Sequence, residues 1–575
     1  MINYRSLLVD KTLGAYTSCQ ECYRLNVLNA DAMLYLALIT LVYASTFLKK
    51  YLIRLILKTI TILLISYYLL DIYIFKFLNQ RLYFNDIATY FDLDTIIEGI
   101  NRETNNHSFI FTITFFGLLA IYIFLHRSIQ INKIDKALFV LLLVPGVYLL
   151  TNISRIDYVN DVYLRNVIAV NLEAKEAVNY SPKTQVLTPA KVNEIEQLIC
   201  VENGLNTKKN IILLIVESLS SYQSLLHSGL NDWTPKLDQL ARENSYYSNF
   251  FANNFTSLEG RIALLTGEKT FRGISNFTNR GFGREGYWNT QRNLPELLSS
   301  YGYQTSFLDG ANLEFSNTGK YMNGLGFDYV EGSDYSGYEG KKRFGFNSVT
   351  DVDLYERVLE YIKQQQQPFF STIITVSTHA PYVDPDTGQL SIELATKYAD
   401  KAVFEFYKDL EQQDFFTNGI LIITSDHRSM TPVAENELSK FGQQAVSRIP
   451  LIIIDKNRAT PQVHEQYLQQ SDLLNSIEYL VSENHCYRSD EGNLFSNPPN
   501  PAQCIYHSRG DYRERVDVYC QDGKQQAVIE LNGDNSQVID GELSDEKEVL
   551  DFITYSRLGA IKRHEVYLEK QADKL

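Results

Sequence analysis

Residues 210–217 read NIILLIVE, six consecutive Ile, Leu and Val side chains followed by an acid. A β-branched run of this kind, with no polar alternation, suits a strand buried on both faces of a largely parallel sheet. Similar runs recur at Phe369–Val376 (FFSTIITV), Gly419–Thr424 (GILIIT) and Ile449–Ile454 (IPLIII). Between them lie helical patterns at Thr234–Glu243, Asn293–Tyr301, Asp353–Gln364 and Ala399–Gln412. Strands alternating with helices predict an α/β sandwich over residues 209–480.

In open α/β sheets, ligands bind beyond the carboxyl ends of the strands. The first run ends in Glu217, the second leads into His379 (VSTHAPY), and the third ends in Asp426 and His427 (IITSDHRS). One Glu or His after a strand is ordinarily a cap or a solvated loop residue. An Asp-His pair closing a buried strand is more informative, because both groups must be exposed or coordinated. Together the three strand ends predict carboxylates and imidazoles gathered at one rim. Such donors suit one divalent ion, Mn²⁺, Zn²⁺ or Mg²⁺.

Five strings follow Glu217's strand in order, TPKLDQLA at 234–241, SLEGRIALLTG at 257–267, LPELL with GY at 294–303, THAPY at 378–382 and SDH at 425–427, and with that first strand end they make a set of six. This pattern resembles the sulfatase-like branch of the alkaline-phosphatase superfamily over about residues 208–455. A multi-span N-terminal region ahead of such a domain resembles lipoteichoic-acid synthases, membrane-anchored phosphoglycerol transferases and phosphoethanolamine transferases. The string GANLEFSNTGKYMNGLGFD at 310–328 leans toward the phosphoglycerol type.

The resemblance implies a nucleophile ten residues before Gly267, which is Ser257; Thr256, the adjacent hydroxyl, is the alternative. It also implies that Arg261 matches the motif arginine and His379 the substrate-site histidine, and it makes Asn312 and Asp400 candidate substrate-binding residues. No Cys stands at the nucleophile position, and the place two residues beyond Ser257 is Glu259 rather than Ala or Pro, which disfavours aldehyde-forming sulfatase chemistry. The expected metal ligands are Glu217, Ser257, Asp426 and His427, with His379 contacting phosphate or protonating the leaving alcohol. A hydroxyl near a divalent ion becomes a competent nucleophile at neutral pH. The expected reaction moves a phosphoglycerol or phosphoethanolamine group from a phospholipid donor to a glycan or glycolipid acceptor through a covalent Ser/Thr intermediate. A hydrolase and an inactive envelope scaffold are the competing readings.

Working outward from this domain, four apolar stretches precede it: Ala32–Leu48, Thr59–Phe75, Phe109–Leu125 and Ala137–Leu150. Each approaches the ~20 residues that a helix needs to cross a membrane, so residues 1–155 are expected to form about four transmembrane helices. Basic short loops (Lys49, Lys50, Arg54 and Lys58; Arg127, Lys133 and Lys136) belong on the cytoplasmic side. That orientation puts the remainder outside the cytoplasm, in a bacterial-type inner membrane protein. The first thirty residues do not resemble a cleavable signal peptide. Asp71, near the outer end of the second span, is expected at a wetted interface, and Leu82–Ile100 reads either as an interfacial helix or as a loop.

Residues 156–208 are expected to be a helical connector broken by Pro182 and Pro189, and residues 481–575 a small β-rich subdomain tied by cysteines. Cys200, Cys486, Cys504 and Cys520 allow two bridges in three pairings; Cys19 and Cys22 are unassigned. His507 and Arg509 are expected on a surface loop. With 68 acidic and 53 basic residues, a net charge of −15 argues against a nucleic-acid partner.

Overall fold

The computed structural model describes residues 50–78, 165–173, 180–271, 290–344, 347–457, 461–510 and 514–572, with isolated positions between 27 and 41 and at 81, 82, 84 and 117. The chain divides into two compact units, residues 1–174 with 431–435, and residues 175–430 with 436–575.

In the first unit, helix α1 (Tyr51–Leu78) contains the expected Thr59–Phe75 span. Its Tyr51–Phe75 stretch is long and apolar enough to cross a membrane, and it is the one such helix among the described residues. At 1.5 Å per residue, 25 residues reach about 37 Å, against roughly 30 Å of hydrocarbon. Tyr51, Leu52, Ile53, Ile56, Ile60 and Leu63 point outward, an apolar exterior that suits lipid. Asp71 departs from expectation: it is fully buried. Arg81 grips its carboxylate with Nε (3.0 Å) and Nη2 (2.7 Å), and the Leu82 amide adds a third bond. Most of the first span, nearly all of the third, the whole of the fourth, Leu82–Ile100 beyond Phe84, and the pair Cys19 and Cys22 lie outside the described residues.

The second unit opens with helix α2 (Pro182–Ile195), which corrects the expected break at its prolines. Ser181 caps it and Pro182 takes the first turn, where a missing N–H costs nothing; Pro189 lies inside without ending it. Its core is an eight-stranded sheet of β1 (Asn210–Ile215), β2 (Ser245–Tyr247), β3 (Gln304–Asp309), β4 (Tyr329–Glu331), β5 (Phe369–Ile374), β6 (Gly419–Thr424), β7 (Leu451–Ile454) and β8 (Gln462–His464). The spatial order is β8-β2-β7-β6-β1-β5-β3-β4. All neighbours are parallel except β7, which runs antiparallel to both β6 and β2.

Alternate side chains of β1 build the two faces of the sandwich. Ile211, Leu213 and Ile215 pack with Ile262, Leu264 and Leu265 of α4 (Ser257–Thr266) and with Leu473, Leu474 and Ile477 of α7 (Asp472–Val481). Ile212, Leu214 and Val216 pack with Leu237 and Leu240 of α3 (Pro235–Glu243), Leu354 and Val358 of α5 (Asp351–Ile362), and Val403 and Phe406 of α6 (Ile392–Gln412). Helix α6 begins before the expected Ala399, because the Ser391 side chain caps it at Leu394 N.

Beyond this sandwich, β9 (Cys504–Ser508), β10 (Arg515–Cys520), β11 (Gln525–Glu530) and β12 (Gln537–Glu542) form an antiparallel sheet, followed by helix α8 (Glu546–Ala572). Cysteines facing each other across antiparallel strands are joined as Cys200–Cys486 and Cys504–Cys520. The expected surface positions of His507 and Arg509 are corrected: both are buried, His507 on β9 and Arg509 just after it.

Candidate active site

Strands β1 and β6 are parallel neighbours, with Ile215 opposite Thr424. Their carboxyl ends therefore deliver Glu217 and Asp426 to the same rim, with His427 next in sequence. The three residues offer ligand atoms that lie within 4.8 Å of one another, and all are buried. A left-handed residue, Ser218 (φ 55°), turns the chain after Glu217 and knits the two strand ends together. Its amide donates to Asp426 Oδ1 (3.0 Å) and its hydroxyl to Glu217 Oε1 (2.9 Å). Strain of this kind in a non-glycine residue collects at functional turns.

Ser257 is the first residue of α4, while Thr256, in extended backbone, is its N-cap. Ser257 Oγ lies 3.0 Å from His427 Nε2 and 3.4 Å from each carboxylate oxygen of Glu217. The Thr256 hydroxyl instead bonds the Glu259 carboxylate. Gly260 lets α4 approach this closely, since a Cβ there would stand 2.0 Å from the Asp426 carbonyl oxygen. Gln470 secures the same corner, its side-chain amide donating to the carbonyls of Ser425 (2.9 Å) and Asp426 (2.6 Å).

Two carboxylates this close and buried cannot both carry full charge without compensation. Burial opposes ionisation of Glu217, yet its hydrogen bond with His427 and the charges of His379 and His427 together hold it well below the usual carboxylate range. Asp426 is pushed up to about 7, first by burial and then by the charge of Glu217. Burial alone would lower His427, but Asp426 and Glu217 raise it to about 9.

The donor set fits a divalent cation. Asp426 Oδ2 is buried and has no hydrogen-bond partner, an expensive state that a metal would relieve. The Nδ1–H of His427 donates to the Arg428 carbonyl (2.7 Å), so in the neutral ring Nε2 presents its lone pair toward the carboxylates. Glu217, Asp426 and His427 would hold the ion, with the Ser257 hydroxyl beside it.

The other expected residues divide. Half-buried His379 follows β5, and its charge acts on Glu217; its Nδ1–H donates to the Ala380 carbonyl (2.6 Å). Arg261, one turn along α4 from Ser257, pairs with Asp309 at the end of β3 (3.3 Å). Sequence reading missed Asp309, whose strand QTSFLD is too polar for an apolar-run criterion; its buried Ser306 is satisfied by Ser371 across the sheet (2.7 Å). The substrate role expected for Asp400 is corrected. Both its oxygens cap α3, accepting from Lys236 N (3.0 Å) and Leu237 N (2.7 Å). The Asn312 amide oxygen is likewise spent within its own loop, on Glu314 N (2.8 Å).

Comparison with known proteins agrees with this fold. Residues 209–481 match the sulfatase family model. The chain is 26% identical over 278 residues to lipoteichoic acid synthase 1 of Bacillus subtilis, covering 43% of this chain and 41% of that protein. It is 23% identical over 339 residues to the lipoteichoic acid synthase of Staphylococcus aureus, covering 54% and 50% respectively. The matched stretches thus span half or less of these curated relatives. A solved protein of the alkaline phosphatase superfamily from Vibrio parahaemolyticus shares the fold, with a TM-score of 0.54 at 21% identity over 67% of this chain and 96% of that one.

Proposed function

We propose, on the premise that residues 209–481 form a sulfatase-like domain of the alkaline-phosphatase superfamily, that this protein is a membrane-anchored transferase. It moves a phosphoglycerol or phosphoethanolamine group from a phospholipid to an extracytoplasmic glycan or lipid-linked sugar. The observation that carries this reading is the Ser257 hydroxyl, 3.0 Å from His427 Nε2 and 3.4 Å from Glu217. Similarity to proteins named lipoteichoic acid synthases supports the phosphoglycerol form.

A divalent ion bound by Glu217, Asp426 and His427 supplies a lowered hydroxyl pKa and screening of phosphoryl charge. Ser257, its hydroxyl proton already released to solvent, attacks as the alkoxide: the Oγ–P bond forms as the P–O bond to diacylglycerol breaks, and the second half-reaction returns the alkoxide. Its position at the first turn of α4 adds the positive end of the helix to the developing negative charge. Arg261 binds a phosphoryl oxygen, steadied by Asp309. His379, whose Nδ1 is fixed by the Ala380 carbonyl, passes a proton from Nε2 to the departing diacylglycerol oxygen. In the second half-reaction His379 takes the proton of the acceptor hydroxyl, which attacks phosphorus and frees Ser257. Ping-pong kinetics follow from the shared intermediate.

The two disulfides among the described residues belong to the unit that carries this site, and such bridges persist in oxidising compartments; this supports an extracytoplasmic placement. Helix α1 supplies a membrane anchor, in keeping with a lipid donor. Mass spectrometry of the purified protein after incubation with phosphatidylglycerol or phosphatidylethanolamine tests the reading. A glycerophosphoryl or ethanolamine-phosphoryl adduct on the peptide containing Ser257 is expected. An aldehyde at that position, or no adduct with either lipid, opposes it.

A further inference from the structure

The chain leaves regular secondary structure after Phe251 and reaches Ser257 through five residues, 252–256, one of them the N-cap of α4. On one side the Ala252 amide donates to the Ser447 carbonyl (2.8 Å), ahead of β7, and the Asn253 amide to Gln470 Oε1 (3.0 Å); the other side is left to the C-terminal sheet. Three successive residues of β9, in the C-terminal sheet, grip this approach. The Tyr506 carbonyl accepts from Asn253 Nδ2 (2.9 Å), His507 Nδ1–H donates to the Ala252 carbonyl (2.8 Å), and the Ser508 amide donates to the Asn253 carbonyl (2.8 Å). A bridge pairs Asn254 with Ser508. Beyond the strand, Gly510 lies against the Phe255 ring, where a Cβ would come within 2.0 Å of Cδ1.

The same strand also reaches the far side of α4, where Ser508 Oγ donates to the Thr270 carbonyl (2.9 Å). It is itself fixed at its start. Gln469 bonds both the Cys504 carbonyl (3.0 Å) and the Tyr506 amide (3.0 Å), and the Cys504–Cys520 bridge ties β9 to β10.

From this arrangement we infer that the C-terminal sheet is a working part of the active site, with His507 a positioning residue that sets the Ser257 hydroxyl through the Ala252 carbonyl. A nucleophile displaced by about 1 Å loses on the order of 100-fold in rate, and the Nδ1 bond of His507 goes to the Ala252 carbonyl rather than to a proposed metal ligand or the attacking atom. Its loss therefore slows formation of the covalent intermediate and leaves the affinity of the cation site intact.

The inference rests on Ser257 as nucleophile, so Ser257→Ala is assayed beside it. The full-length protein in detergent micelles is given a fluorescent phosphatidylglycerol and saturating Mn²⁺. His507→Leu is expected to lower kcat by about 10- to 100-fold, with KM and the Kd for Mn²⁺ unchanged. His507→Asn, whose amide donates from nearly the position of Nδ1, is expected to recover most of that loss. Gly510→Ala, which pushes on Phe255, is expected to reproduce the loss in kcat alone, and it decides the matter if His507→Leu fails to fold. Wild-type kcat in His507→Leu, or a loss matched by weakened Mn²⁺ binding, overturns the inference. Activity retained in Ser257→Ala strikes instead at the nucleophile on which it rests.

Discussion

Two groups of buried carboxylates in this molecule meet opposite fates. In α1, Asp71 is closed off from solvent and fully answered: Arg81 neutralises it through two bonds, and the Leu82 amide takes a further lone pair. At the rim of the main sheet, Glu217 and Asp426 are as deeply buried, but the cationic group within ion-pair distance of them is the His427 imidazole, and Asp426 Oδ2 has no hydrogen-bond partner. A completed ion pair is structural. A cluster left short of positive charge is arranged to receive it, and the hydroxyl of Ser257 at its edge is what that charge would act on.

The largest expected effects sharpen this contrast. Ser257→Ala, Glu217→Ala and Asp426→Ala should each reduce turnover by about 1,000-fold or more, while far-UV circular dichroism stays that of the folded protein. Undiminished turnover in any of them removes that residue from the chemistry. Chelation should abolish turnover reversibly, and the pH dependence of Mn²⁺ affinity has a definite sign. Asp426 retains a proton up to about 7 and His427 up to about 9, and both protons must leave when the ion binds. Affinity measured by calorimetry should therefore climb with pH. It should rise up to about 100-fold per unit below 7 and about tenfold per unit between 7 and 9, since proton release is linked to binding. Affinity that is flat across that range would contradict the protonation states assigned here.

The smaller effects probe the structural side of the comparison. Asp71→Ala leaves the buried Arg81 guanidinium without its carboxylate and should destabilise the first unit by about 3–5 kcal/mol, visible as a lower melting temperature with kcat per folded molecule unchanged. A selective loss of kcat would instead make Asp71 a functional intramembrane carboxylate. Asp400→Ala removes the cap of α3 and should cost about 1–2 kcal/mol, with KM unaffected; a raised KM would restore its substrate role.

The legibility of the two kinds of site in the sequence follows from their physics. Glu217, Asp426 and His427 could be read because each interrupts an apolar run at the point where a parallel strand must end, and adjacent strands bring those ends together. Asp309 could not be read in that way, because the Thr and Ser within its strand conceal the burial of β3. His507 and Arg509 were misjudged because their partners, the Ala252 carbonyl and Asp517, are recognised only once β9 is paired and docked. The role suggested for Asp400 by resemblance failed for a related reason: the two backbone amides that consume its oxygens lie more than 160 residues away along the chain. Helix prolines show the same limit, since the placement of Pro189 inside α2 is decided by packing and capping rather than by the residue alone.

The central claim is that Glu217, Asp426 and His427 close around one cation beside the Ser257 hydroxyl. Crystals of the protein grown with Mn²⁺ and measured for anomalous scattering test it directly. The account predicts a single strong peak bounded by Glu217, Asp426 and His427, roughly 2.0–2.3 Å from their donor atoms, with Ser257 Oγ adjacent. A peak elsewhere, or none at this cluster under saturating Mn²⁺, would contradict it.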